Sequence, residues 1–174
     1  MPQPTNPTPK SPIQAIATSA IMAALVTVAT YIIQVPIPQT GGYLNVGDAM
    51  IFAASLTFGS AVGGVTGGVG SAISDLVSGY AHFAPITLVI KGVEGALAGF
   101  ISDGKSLTRD LIAVGAGGAV MVFGYFLAEF FVFGIGFAAL SEVPGNIFQI
   151  VFGGLIGIPV SRVIRRYLPA ISLM

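Results

Sequence analysis

Lys91 and Glu94 stand three residues apart in an otherwise apolar run. On a helix they share one face, where they can neutralise each other or meet a polar ligand together. Other polar residues are scattered through similar surroundings: Asn45 and Asp48, Asp75 with Tyr80 and His82 just beyond it, Glu129, and Glu142 with Asn146 and Gln149. An ionisable side chain in hydrocarbon costs at least about 2.5 kcal/mol, so each of these needs a partner or a wet cavity. The chemistry available to such a set is charge pairing or non-covalent recognition. Catalysis has no visible apparatus: the chain lacks a G-x-S-x-G elbow, an H-E-x-x-H pair and a Walker A loop. With one histidine and no cysteine, neither a metal site nor a thiol nucleophile is expected. The chain is read as a non-enzyme with no cofactor.

The elements that carry these residues are set by composition. Apolar residues make up 54% of the 174 and charged residues only 8%, against about a quarter in a soluble domain. Such a chain lacks the polar groups to cover a water-facing surface, and an integral membrane protein follows. Seven basic residues balance seven acidic ones, so there is no net field to gather nucleic acid. The 24 glycines and the absence of tryptophan suit helices packed closely in lipid.

Residues 1–10, with four prolines, read as a disordered cytoplasmic tail, and 11–174 as a single membrane domain. Ser11 and Pro12 look like an N-cap followed by proline at the first helical position. Apolar segments then run over 13–35, 46–62, 64–79, 85–102, 107–133 and 144–167, the last with a kink predicted at Pro159. Pro36 to Gly42 and Asp103 to Ser106 are read as loops. The predicted fold is all-α, a compact bundle of six transmembrane helices. With both termini in the cytoplasm, Lys10, Lys105, Arg109, Arg162, Arg165 and Arg166 all fall inside, as the positive-inside rule requires.

This topology gathers the polar residues near the outer surface. Lys91 and Glu94 lie about 9 and 14 Å deep at the helical rise of 1.5 Å per residue. The inner halves carry almost no ionisable groups away from the boundary. That asymmetry describes an outward-facing pocket closed below by apolar helix, not a pore. His82 reads either as a solvated loop residue or as a ligand group. Tyr43, Tyr80 and Phe83 read either as interfacial aromatics or as surfaces for a ring to stack on. Small-xxx-small spacings such as Gly63-xxx-Gly67, Gly95-xxx-Gly99 and Gly153-xxx-Gly157 allow close helix approach, and Ala20-xxx-Ala24 forms a smooth strip on the first helix.

The stretch Asn45-Val-Gly-Asp48, then Phe58-Gly59 and the glycine-rich run to Ser74-Asp75-Leu76, resembles the S components of energy-coupling-factor (ECF) vitamin transporters. Gly79 to Pro85, followed by Lys91-Gly-Val-Glu94-Gly95, is most similar to the pyridoxine and hydroxymethylpyrimidine group of that family. The resemblance spans residues 13–168 in size and topology, with its motifs mainly in 45–99. It implies a six-helix capture subunit that binds a small vitamin from outside and docks on a T subunit driven by two cytoplasmic ATPases. It also implies the cytoplasmic membrane of a bacterium or archaeon. The alanine strip at Ala20 and Ala24 is then the docking face. Substrate contacts are expected from Asn45, Asp48, Asp75, Tyr80, His82, Lys91 and Glu94, with Glu129, Asn146 and Gln149 on the opposite wall. Three other readings stay open at this point: a riboflavin-specific S component, a stand-alone proton-coupled transporter, and a structural membrane protein whose charges merely pair.

Overall fold

One short helix is wrapped by the others. Gly47–Phe58 is mostly apolar with no exposed polar face, and every residue in it except Met50 is buried. Such a helix belongs inside a bundle, and this one is the axis of the molecule. The computed structural model describes residues 12–167; the tail reading of 1–10 and the N-cap reading of Ser11 lie outside them. In chain order the helices are α1 (Pro12–Ile32), α2 (Gly47–Phe58), α3 (Ser60–Val77), α4 (Ala84–Ile101), α5 (Leu107–Leu127) and α6 (Val143–Tyr167). Phe52 and Leu56 of α2 pack with Ala98, Ala113, Val114 and Ile158, while Ala54 and Phe58 pack with Met22 and Val62. The outer surface is the inverse of a soluble protein's: Ile16, Phe100, Phe123, Phe148 and Leu155 are all largely exposed.

The six predicted helices are present, with three local departures. The segment after α1, read as a loop, contains a small antiparallel hairpin, β1 (Val35–Ile37) and β2 (Gly42–Leu44), with Pro36 opposite Tyr43. β-branched and aromatic residues on either side of a Pro38-to-Gly41 turn favour that pairing. The break between the second and third helices falls at Gly59, whose φ of 87° suits glycine, and not at the predicted Val62 to Gly64. Those later glycines stay helical because α3 needs them for packing. The predicted fifth helix to Phe133 stops as an α-helix at Leu127, continues as a π turn over Ala128–Val132, and is followed by a 3-10 turn over Gly136–Ser141. Gly134 and Gly136, at φ of 68° and 63°, reverse the chain there. The last helix runs through Pro159 without interruption.

Among the described residues, four stretches are long and apolar enough to cross a membrane: Pro12–Ile32, Ala84–Ile101, Leu107–Val132 and Gly136–Tyr167. The 12 residues of α2 extend only about 18 Å, and α3 is diluted by five glycines. The protein is therefore a multi-pass membrane protein whose two remaining helices are short or weakly apolar.

Glycine determines how near these helices come. A Cβ on Gly68 would sit 2.6 Å from the Leu88 carbonyl oxygen, and one on Gly67 would strike the Lys91 carbonyl oxygen. The backbones of α3 and α4 thus touch beneath Lys91. On the other side of α2, a Cβ on Gly153 would lie 2.8 Å from Asp48 Cβ, so α6 seats against the turn that carries Asp48. Gly67→Ala is expected to lower the detergent melting midpoint, with a cost of about 1–3 kcal/mol or more for overpacking. Gly115 lies on an open part of α5 with nothing within 4 Å of a Cβ, so Gly115→Ala should leave the midpoint unchanged or raise it. Equal responses of the two variants in a thermal unfolding assay would contradict the close-approach account.

Candidate functional site

At the hairpin end of the bundle the inward faces of five helices turn polar. Lys91, buried on α4, makes ion pairs with Asp48 of α2 and with Glu94 one turn along its own helix, the latter at 3.0 Å. Its third contact is weak, 3.0 Å to the Met121 sulfur, and the Tyr125 ring centroid lies 5.9 Å away. An ammonium has three donors. One is committed to Asp48, Glu94 lies within ion-pair distance, and another points at a thioether, a poor acceptor that an incoming oxygen would readily replace.

Above Lys91 lies a cavity with about 30 Å³ of free space, room for about two water molecules. Lys91 and Met121 form part of its lining, together with Asp75, Thr87, Tyr125, Asn146 and Gln149. Its groups are tied to one another. Tyr43 of β2 donates to Asp75 Oδ1 at 2.6 Å, and Tyr125 donates to the Thr87 hydroxyl at 3.0 Å. The amides of Asn146 and Gln149 are bonded at 3.1 Å, and Gln149 Oε1 accepts from the Asn45 backbone at 2.7 Å. Thr40, in the hairpin turn, donates to Glu142. The hairpin is thereby fastened over the cavity by three polar contacts to α3, to α6 and to the turn preceding it. Burial, and then the hydrogen bond to Asp75, push the Tyr43 phenol well above its ordinary range, so it remains a donor at any physiological pH.

The predicted site residues divide into three groups. Asn45, Asp75, Lys91, Asn146 and Gln149 line the cavity. Asp48 and Glu94 lie behind it as the partners of Lys91, both buried. Tyr80, His82 and Glu129 are not among the lining residues: Tyr80 packs on Tyr43 at 4.5 Å between ring centroids, exposed His82 packs on Phe83 and Phe133, and buried Glu129 lies against Glu142. The lining residues outside the predicted set are mostly hydroxyl-bearing. Thr30, Ser71 and Thr87 are single polar atoms in apolar helices, a signal easily taken for packing, while Tyr43 reads from sequence as an interfacial aromatic or a stacking surface and Glu142 as a residue near the mouth without a contact role.

The arrangement is a blind polar cavity inside a membrane bundle, and among the described residues no buried ionisable side chain continues it below Glu94 until Asp110 at the opposite end. Sequence comparison bears directly on such a shape. The sequence model described as ECF-type riboflavin transporter, S component, matches residues 10–166. The chain belongs to this S-component family. S components are the substrate-binding subunits of vitamin transporters. Two relatives are similar over most of their length. An uncharacterized protein from the gap 3′ region of Pyrococcus woesei is 45% identical over 133 residues, covering 76% of this chain and 88% of that one. The thiamine precursor transporter HmpT of Lactococcus lactis is 30% identical over 155 residues, covering 88% and 89%. A solved S component of a bacterial ECF transporter superposes with a TM-score of 0.72 at 20% identity, over 91% of this chain and 99% of that one, which supports the fold.

The ion-pair cluster makes a sharp stability prediction for this S component. Lys91→Met leaves two buried carboxylates facing each other without a cation, a loss expected to cost about 3–5 kcal/mol. Adding Asp48→Asn and Glu94→Gln should recover much of the folded yield on size-exclusion chromatography in detergent. A triple variant no better than Lys91→Met would show that the charges are not what holds this region.

Proposed function

We propose that this chain captures a small, ring-containing, water-soluble vitamin or vitamin precursor of the pyridoxine or hydroxymethylpyrimidine type. The observation that carries the reading is the cavity itself: small, blind, walled by paired hydrogen-bonding groups and floored by a buried ammonium. Asp75, Asn146 and Gln149 can accept from hydroxymethyl or amino groups, and Lys91 can donate a hydrogen to a ring oxygen or nitrogen. Asn45 holds the Gln149 amide in place, and Asp48 and Glu94 fix the ammonium from behind. The similarity to a thiamine precursor transporter supports this substrate class. Tyr80, His82 and Glu129 act from the rim, Tyr80 by holding Tyr43 and Glu129 by backing Glu142.

Seating a ring means exchanging existing bonds, since two waters' worth of space does not hold one. Tyr43–Asp75, Tyr125–Thr87 and Asn146–Gln149 are neutral or singly charged pairs at the cavity wall, and a polar ring can replace each with a bond of equal kind. A flavin is a second reading, favoured by the description of the matching family; its three fused rings would need a far larger displacement of the same walls.

In this reading all six helices traverse the bilayer, both termini are cytoplasmic, and the cavity opens outward from the cytoplasmic membrane of a bacterium or archaeon. Delivery then requires partners, because the chain has no nucleotide site: a T subunit and two cytoplasmic ATPases. The smooth face of α1, where Ala20 and Ala24 are exposed, is the surface offered to the T subunit.

Two experiments test the proposal. Mass spectrometry of small molecules released on denaturing the purified protein, followed by calorimetric titration, should find one pyridine or pyrimidine vitamin per chain and negligible riboflavin binding. Tight riboflavin binding would overturn the substrate class and leave the family intact. For the docking face, Ala20→Leu should reduce assembly with the T subunit at least tenfold in a pull-down while leaving vitamin affinity unchanged. Normal assembly and transport by that variant would remove α1 from the interface.

A further inference from the structure

The end of the molecule opposite the cavity gathers five of the seven basic residues: Lys105 and Arg109 around the α4–α5 loop, and Arg162, Arg165 and Arg166 on the last turns of α6. They are not equivalent. Arg165 is committed inward, donating to Asp110 at 2.8 Å and to the Leu56 carbonyl at 3.0 Å. Arg109 is held by the Ile101 carbonyl at 3.0 Å and lies 3.5 Å from the Asp103 carboxylate. Asp103 itself accepts the backbone N–H groups of Ser106 and Lys105, which hold its carboxyl below the usual range. Arg162 makes only a long contact of 3.4 Å to an Asp110 already occupied by Arg165 and Ser102.

That leaves Lys105, Arg162 and Arg166 without a carboxylate of their own among the described residues. All three line one open groove of about 390 Å³, with Gly104 and Arg165 completing it. With five cations against Asp103 and Asp110, the local balance is three positive charges, gathered at one spot on a chain whose net charge is zero. Guanidinium groups suit phosphate because they donate two parallel hydrogen bonds. The groove also sits beside bare hydrocarbon surface. Val163 and Tyr167, each next in sequence to Arg162 and Arg166 and so on the adjoining face of α6, are 56% and 69% exposed, and the Arg166 guanidinium lies 5.5 Å from the Tyr167 ring centroid. Leu107 and Leu111 extend the apolar surface on α5.

We infer that this groove is a binding site for the phosphate headgroup of an anionic membrane lipid, with the acyl chains lying along the exposed faces of α5 and α6. A water-soluble phosphate would find the charge but have no use for the apolar border; a lipid uses both. The inference is independent of the vitamin reading, and only the leaflet it assigns, the cytoplasmic one, follows from the orientation proposed above.

The full-length protein, purified in a non-ionic detergent, would be titrated with phosphatidylglycerol or phosphatidylcholine and the retained lipid counted by native mass spectrometry. Phosphatidylglycerol should bind at least tenfold more tightly, and the preference should shrink as salt is raised. Lys105→Gln with Arg166→Gln removes two cations that make no internal ion pair, so the variant should fold and still bind its vitamin. Its phosphatidylglycerol affinity should fall about tenfold or more, taking roughly fivefold per basic residue near a lipid surface. Glycerol 3-phosphate at millimolar concentration should not compete. Equal binding of the two lipids would overturn the assignment, as would undiminished phosphatidylglycerol binding by the double variant. Competition by glycerol 3-phosphate would reassign the groove to a soluble anion. Loss of complex assembly in the double variant without any lipid preference would reassign it to an acidic surface of a partner subunit.

Discussion

The structure depends on one buried ammonium. Lys91 joins Asp48 of α2 to Glu94 of α4 at a point where all three side chains are buried. Removing either kind of partner strands a charge in a medium where its solvation cost is several kcal/mol. Around that constraint the glycines of α3 and α6 bring backbone close on both sides. Gly67 and Gly68 let α3 lie against the carbonyls flanking Lys91, and Gly153 lets α6 lie against Asp48. The close packing and the charge cluster support each other: larger residues at those glycines would open the seam and wet the pair.

The same cluster explains why the cavity stops where it does. Two carboxylates for one ammonium leave acceptor capacity unfilled, with Asp48 Oδ2 and both oxygens of Glu94 buried without hydrogen bonds. Directly below come Phe52, Leu56, Ala98 and Ala113, which offer an ion or a polar molecule nothing. The polar path therefore ends at Lys91. In the proposed reading a subunit built this way binds without conducting, and delivery falls to movement of the whole subunit or to partners.

Much of this was legible in the sequence because the signals were strong. Six apolar segments, a charged loop at Asp103 to Ser106 and a clear basic asymmetry fixed the helices to within a few residues. The spacing of Lys91 and Glu94 announced a shared helix face. Asp48 was less transparent: it was expected among the substrate contacts, and its place as the ammonium's partner depends on how α2 rotates, which periodicity cannot supply for a helix with no exposed polar face. The hairpin was hidden because three-residue strands leave almost no pattern. Glu129 was expected among the substrate contacts but turns toward Glu142, because the π turn over Ala128–Val132 adds a residue and rotates everything after Leu127. Thr30, Ser71 and Thr87 were invisible as site residues because a lone hydroxyl in a membrane helix usually bonds its own backbone, as Ser55 and Thr57 do here.

The two polar ends of the bundle use charge in opposite ways, and the contrast argues for their different roles. At the far end Asp110 is satisfied: Ser102 donates at 2.6 Å to one oxygen and Arg165 at 2.8 Å to the other. That network ties α4, α5 and α6 together and leaves surplus cations only at the surface, where water and lipid phosphates can solvate them. At the cavity end the surplus is of acceptors, held inside, and the bonds across the cavity join neutral side chains or one neutral group to one carboxylate. Such pairs cost little to exchange for bonds to a ligand, since a donor and an acceptor are released together and both are taken up again. A rigid, satisfied base and an exchangeable, partly unsatisfied top are what a capture subunit needs. In the proposed reading the helices keep their packing while the polar contacts above Lys91 change partners.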